Sequence, residues 1–123
     1  MKIMKIIGIV IIFFLSTPVF AFDKWDRTDY ALLAVSTLTM GIDWRQTRRI
    51  AEQPERYYET NPIIGRHPSL DRVDQYFAIS WIIKAGIAYI LPSQWRKVWL
   101  GGIIGVETGC VFRNTNIGLG ISW

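Results

Sequence analysis

VDQYFAISWIIKAGIAYILP, residues 73–92, decides how this chain is read. Between 73 and 91 the only charges are Asp74 and Lys84. The run ends at Pro92, whose fixed φ and missing N–H stop a helix. A stretch of this length and character predicts a transmembrane helix. Working outward, two more apolar segments flank it, at 28–44 and 95–112. The first covers only ~26 Å as a helix, near the lower limit for a span, and Asp29 and Asp43 sit at its ends. Arg96 and Lys97 blur the start of the third, unless their stems reach back to the headgroups. Trp25, Tyr30, Trp44, Trp95 and Trp99 fall near the span ends, where amphipathic rings settle. The expected fold is an all-α membrane protein with three transmembrane helices.

The N-terminus reads as an export signal. Lys2 and Lys5 precede the uncharged run 6–15, and Val19 and Ala21 occupy the small-residue positions of a cleavage site. Cleavage after Ala21 divides the chain into a signal peptide, 1–21, and a single helical domain, 22–123. The alternative is an uncleaved anchor, which Pro18 would interrupt. Half the residues are hydrophobic and the mean hydropathy is positive, which suits a membrane class. The basic pI, near 9.5, does not point to nucleic acid, because the charges punctuate apolar runs and form no basic face. Cys110 is the only cysteine, so no intrachain disulfide exists and cysteine-type metal spacings are absent.

Arg45, Arg48, Arg49, Arg56, Arg66 and Arg72 all lie in the connection 45–72, against Arg96 and Lys97 in the next one. The positive-inside rule then makes 45–72 cytoplasmic, the mature N-terminus periplasmic and the C-terminus cytoplasmic, in a bacterial inner membrane. An export signal predicts the same arrangement. The arginines, partly balanced by Glu52, Glu55, Glu59 and Asp71, are expected to meet anionic lipid headgroups. Within the loop, Pro54, Asn61-Pro62, Gly65 and Pro68 mark successive turns, and Ser69 is a fitting N-cap for the second helix with Asp71 in its first turn.

Several groups carry chemical potential. Gly101, Gly105 and Gly109, spaced by four with Gly102 beside them, form a helix-packing face, within the chain or between chains. Ala78, Ala85 and Gly86 are its candidate partners inside the chain. Lys84 and Glu107 are the ionisable groups deepest in apolar sequence, and they are expected to face the interior as an intramembrane ion pair offset by ~6 Å along the axis. Asp43, Gln46 and Thr47 share one helical face. Antiparallel geometry brings that face level with Glu107, Arg113 and Asn114, while Glu59, Asn61 and His67 arrive from the loop. The result is an interfacial polar cluster with Asp43, Glu59, His67 and Glu107 as weak catalytic candidates. Its spacing matches no dedicated metal motif, and no cofactor motif is present. A satisfied structural cluster is the simpler reading, since buried polar groups must pair whatever they do.

The pattern Asp43-x-x-Gln46-Thr47 followed by Glu59-x-Asn61-Pro62-x-x-Gly65-x-x-Pro68-Ser69 resembles that of small bacterial and phage-associated helical membrane proteins. The resemblance covers about residues 40–80 and implies an architecture, not an activity. It joins the helix end and the turn into one structural unit.

The tail 116–123 alternates Ile117, Leu119, Ile121 and Trp123, which suggests a small outer-membrane β-barrel as the alternative fold. Among functions, a structural or interaction component of the cell envelope ranks first, acting through the glycine face and the arginine-rich loop with a second copy or another membrane protein. An oligomeric transporter or channel component using Lys84 and Glu107 is the second class. An intramembrane enzyme at the inner interface is the third.

Overall fold

The computed structural model describes Lys5 and residues 22–119. These residues form three helices and no strand: α1 (Arg27–Glu52), α2 (Leu70–Ile90) and α3 (Ser93–Asn116). The expected signal segment, Lys5 apart, and the last four residues of the alternating tail lie outside the described residues. As far as Leu119 that tail is no strand, since α3 runs to Asn116 and Gly118 turns at φ +102°.

Each helix begins where local chemistry starts it. Asp26 caps α1 in a reciprocal box, its side chain accepting from the Asp29 N–H while Asp29 accepts from the Asp26 N–H. The hydrogen bond from Lys97 holds the Asp26 carboxyl below the usual carboxylate range. Ser69 caps α2 by accepting from the Arg72 N–H. Pro92 precedes α3, and Leu91 ends α2 in extended backbone. The first helix is longer than its apolar segment: Arg45 to Glu52 are helical, so the connection shrinks to 53–69. Hydropathy falls after Trp44, whereas helix propensity carries the backbone on through arginine and glutamate.

Apart from Gln46, which lies beside Thr47, the buried positions of α1, Asp29, Ser36, Met40, Asp43, Thr47 and Ile50, recur at alternating spacings of three and four after the first heptad. Val73, Phe77, Lys84 and Ala88 follow the same rhythm on α2, and Arg96, Leu100 and Asn114 on α3. This is the seam periodicity of helices lying along one another. The seam is unusually polar. Asp29, Ser36, Asp43, Gln46, Thr47, Lys84, Arg96 and Asn114 are all buried, while Met40, Ile64, Val73 and Phe77 make a small apolar cluster. Many large apolar side chains lie outside, among them Leu38, Ile82 at 65 % exposure and Val106 at 67 %.

Arg96 locks one end. Pro92 cannot donate to Ala88 O, the carbonyl four residues back, and Arg96 Nε donates to it at 2.7 Å. Its Nη2 reaches Leu91 O and Asp23 O, its Nη1 pairs with Asp29 Oδ2 at 3.0 Å, and Trp25 covers the guanidinium. Lys97 Nζ completes the end by donating to Asp26, Asp29 and Ser93. Arg96 therefore does not reach out to headgroups, and Lys97, which is half-buried, turns onto the same carboxylates. The carbonyls freed by Pro92 and the Asp29 carboxylate offer closer partners.

The glycine face does not pack within the chain. Gly101, Gly105 and Gly109 are exposed, and a Cβ built on each meets no atom within 4 Å. Ala78 and Gly86 are exposed as well, and Ala85 is half-buried. The side of α3 turned inward carries Arg96, Leu100, Ile103 and Asn114, because the polar partners of α1 claim it.

Replacing Asp29 by alanine leaves the Arg96 guanidinium buried without its carboxylate, and should cost about 3–5 kcal/mol of folding stability. Val35→Ala, on the exposed side of α1, is expected to change stability by no more than about 0.5 kcal/mol. Denaturant titration of the two variants beside the parent protein checks the contrast.

Candidate functional site

At the end of the bundle opposite Arg96, α1, α3 and the 53–69 connection enclose a cavity of about 200 Å³. Asp43 and Thr47 supply it from α1, one helical turn apart on the buried face. Asp43 Oδ1 accepts from Asn114 Nδ2 at 3.0 Å and from Thr47 Oγ1 at 3.3 Å, so the carboxylate ties α1 to α3. Glu107, seven residues before Asn114 and so two turns along the same side of α3, is near enough for its charge to act on Asp43 but does not line the cavity. Glu107 Oε2 is buried and has no hydrogen-bond partner.

The connection contributes through a tight turn. Asn61 Oδ1 accepts from the Ile63 N–H, the Gly65 N–H returns to Asn61 O, and the Glu59 N–H donates to Arg66 O at 2.8 Å. Gly65 sits at φ +93°, a conformation that favours glycine. This turn fixes Glu59, whose Oε1 accepts from the N–H groups of Thr60 and Asn61. Asn61 Nδ2 reaches across to the Tyr76 hydroxyl at 2.9 Å. Arg113, on the last turn of α3, donates to Thr60 Oγ1 at the rim. The opposite wall is Ile64 and Phe77, with the Cys110 thiol beside them.

Asp43, Glu59, Asn61, Arg113 and Asn114 thus line one cavity, and Glu107 lies outside its lining. Gln46 lies next to them on the buried face at 1 % exposure, with Nε2 donating to Thr115 Oγ1 at 3.4 Å and Oε1 buried without a partner. His67 is not part of the group. It is exposed, because Pro68 takes the buried position of that turn and leaves its neighbour outside. Lys84 and Glu107 do not form a contact ion pair. Lys84 Nζ donates to Thr37 Oγ1 at 3.2 Å and lies 5.7 Å from the Trp81 ring, while Glu107 acts on it only at longer range. The axial offset separates them, and Thr37 on α1 is nearer.

Cys110, Thr60 and Tyr76 were not anticipated. Positions 107, 110 and 114 share a helical face, so the place of Cys110 was open to inspection. Nothing in the sequence marks Tyr76 as the partner of Asn61. Among the described residues, no three His, Cys, Asp or Glu side chains are arranged to hold a metal ion.

A second, larger hollow of about 490 Å³ lies between α1 and α2. Met40, Phe77 and Ala78 make it apolar, and the indole N–H groups of Trp44 and Trp81 bridge it to Asp74 and Thr37. It offers few polar groups to orient a ligand, whereas the smaller cavity is lined by them.

No family model, curated protein or solved structure matches the chain.

Asn114→Ala removes the donor that joins Asp43 to α3 and should cost about 1–3 kcal/mol. His67→Ala, at an exposed position, is expected to stay within about 0.5 kcal/mol of the parent. The loss of stability on heating or in denaturant measures both.

Proposed function

We propose that this chain is a small integral membrane protein of the bacterial inner membrane that serves as a structural or interaction component of the cell envelope. The observation that carries the reading is a polar interior beneath a largely apolar exterior. Among the described residues eight polar or charged side chains are buried beside nine apolar ones, whereas Leu38, Ile82, Val106 and Phe112 are largely exposed. In water such an arrangement gives up the hydrophobic effect, which is the dominant favourable term in folding. In lipid it is the sensible one, since tails solvate the apolar exterior and the polar groups satisfy one another inside.

No helix of the described chain is long and apolar enough to cross a membrane. The shortfall is in composition: α1, α2 and α3 have 26, 21 and 24 residues, or ~39, ~32 and ~36 Å, against a hydrocarbon core of ~30 Å. A hydropathy average counts Asp29, Asp43, Lys84 and Arg96 against a span even where they face the other helices. The outside of the bundle is a better guide. Between Arg27 and Arg45 the only charged residues of α1, Asp29 and Asp43, are buried. On α2 and α3, Lys84 is the only charge between Asp74 and Arg96, and it is buried too.

In this reading the export signal delivers the Asp26 end to the periplasm. The arginines of the other end lie against anionic headgroups, worth ~1 kcal/mol for each basic residue near such a surface. The exposed glycines of α3 let a helix of a second copy or another membrane protein approach its backbone.

Substitution of Ile82 by lysine separates the lipid reading from an aqueous one. On an exterior facing hydrocarbon it adds about 2.5–3.5 kcal/mol to the cost of insertion, and the fraction resisting alkaline carbonate extraction should fall. On an exterior facing water, the same change would leave the amount and location of folded protein as they were.

A further inference from the structure

We propose that the hollow between α1 and α2 holds one acyl chain of a glycerophospholipid from the cytoplasmic leaflet, with the lipid phosphate on Arg48. This site rests on the membrane reading above and gives one lipid a fixed place in it. Two crossings build the hollow. The Trp44 indole N–H reaches from α1 to Asp74 on α2 at 2.8 Å, and the Trp81 indole N–H reaches from α2 to Thr37 on α1 at 2.9 Å. On each helix the bridging positions, 37 and 44 on α1 and 74 and 81 on α2, are seven residues apart, or ~10 Å along the axis. Midway between the bridges stand Gly41 and Ala78, whose side chains are too small to fill the gap, and a Cβ built on Gly41 meets no atom within 4 Å. Met40 and Phe77, both buried, line the hollow beside them. Its volume of about 490 Å³ falls within the ~300–1,000 Å³ of sites that enclose small ligands.

The occupant is narrowed by polarity, depth and charge. Asp74 is the only charged residue on the lining, and Arg48 pairs with it. Both indole N–H groups are already spent, so the slot offers a ligand apolar surface and almost nothing else. Between its bridges it is about two helical turns long, which is short for a packed helix and suits a stretch of hydrocarbon. Thr37 lies near the middle of the span 28–44, and Trp44 lies at its cytoplasmic end. Arg48 stands one turn further on, with its guanidinium near the Trp44 ring. From Thr37 to Arg48 is ~16 Å along α1, close to the ~15 Å thickness of one hydrocarbon leaflet. A chain lying in the slot therefore brings its own headgroup level with Arg48. Arg48 gives only Nη1 to Asp74 among the described residues and is partly exposed, so Nε and Nη2 remain for an anion. A guanidinium edge of this kind matches a phosphate.

The full chain in bilayer discs of equal parts phosphatidylglycerol and monogalactosyl diacylglycerol tests the site, with bound lipid read by native mass spectrometry after gentle release. Both lipids have two acyl chains, and only the first has a phosphate. The parent should retain one phosphatidylglycerol, with a preference of about tenfold or more over the galactolipid, the order expected of one hydrogen bond to a charged group. Gly41→Leu places a side chain in the open slot, improves helix propensity and should lose the retained lipid. Gly101→Leu, the same change on the outward side of α3, should retain it. Arg48→Gln removes an exposed ion pair of little weight for stability and should leave a lipid in place with its phosphate preference gone.

No retained lipid, equal retention of the galactolipid by the parent, or undiminished retention in Gly41→Leu would overturn the proposal. So would a second protein chain, and no lipid, released by Gly41→Leu, since a partner helix would then occupy the slot. A parent that resists carbonate extraction and still retains no lipid overturns this site alone and leaves the membrane reading standing. A parent stripped from the bilayer by carbonate overturns both.

Discussion

Buried polar groups must find partners, and in this bundle that requirement is met first at Arg96. One guanidinium serves the Ala88 carbonyl that Pro92 cannot reach, the Leu91 and Asp23 carbonyls, and the Asp29 carboxylate. It joins the end of α2, the start of α3 and the first turn of α1 at a single point. The short connection between α2 and α3 can turn the chain back because those carbonyls are satisfied. The same carboxylate receives Lys97 and closes the capping box with Asp26, so helix initiation and tertiary pairing rest on common atoms. At the far end Asp43 plays the matching part, receiving Asn114 and Thr47. The two acids stand two heptads apart on one seam of α1, with Ser36 one heptad from each.

Interior hydrogen bonds of this kind give a helix bundle its register, and they explain the small apolar cluster. With polar groups sharing the seam with Met40, Val73, Phe77 and Leu100, many other large apolar side chains are left on the outside. The membrane reading follows from that exchange of places, and the glycine stripe takes on a different meaning within it. Since α1 claims the inward side of α3, the stripe is turned outward. The cavity near Asp43 is where the polar seam is not closed. On the Asp43 side of the bundle, Gln46 Oε1 and Glu107 Oε2 are buried without a hydrogen-bond partner among the described residues.

Much of this was legible in the sequence, because some signals are local. Pro92 ended α2, Ser69 began it, and the spacing of Asp43, Gln46 and Thr47 placed all three on a buried face. The Glu59 and Asn61 turn arrived at that face as the motif suggested. What escaped depended on direction and not on spacing. Hydropathy ended the first helix at Trp44, although the helix continues through Arg45, Arg48 and Arg49. Arg96 and Lys97 were placed at a lipid surface because nothing local announced that Asp29 would be their partner 67 and 68 residues away. Lys84 was matched by depth with Glu107 while a hydroxyl on α1 lay nearer. His67 was drawn into the site by its chemistry, and Pro68 decided otherwise. Gly101, Gly105 and Gly109 signalled close approach, but spacing alone does not say to which helix.

The central claim is that lipid faces the apolar exterior and the polar seam is hidden from it. A nitroxide attached at position 106, in a chain where Cys110 is replaced by serine, tests this directly through its collision rates with oxygen and with a water-soluble nickel chelate. Val106 is 67 % exposed midway along α3, so the label does not disturb the seam. In bilayers, oxygen should relax the label far more than the chelate does. A label relaxed chiefly by the chelate would place that face in water and contradict the account.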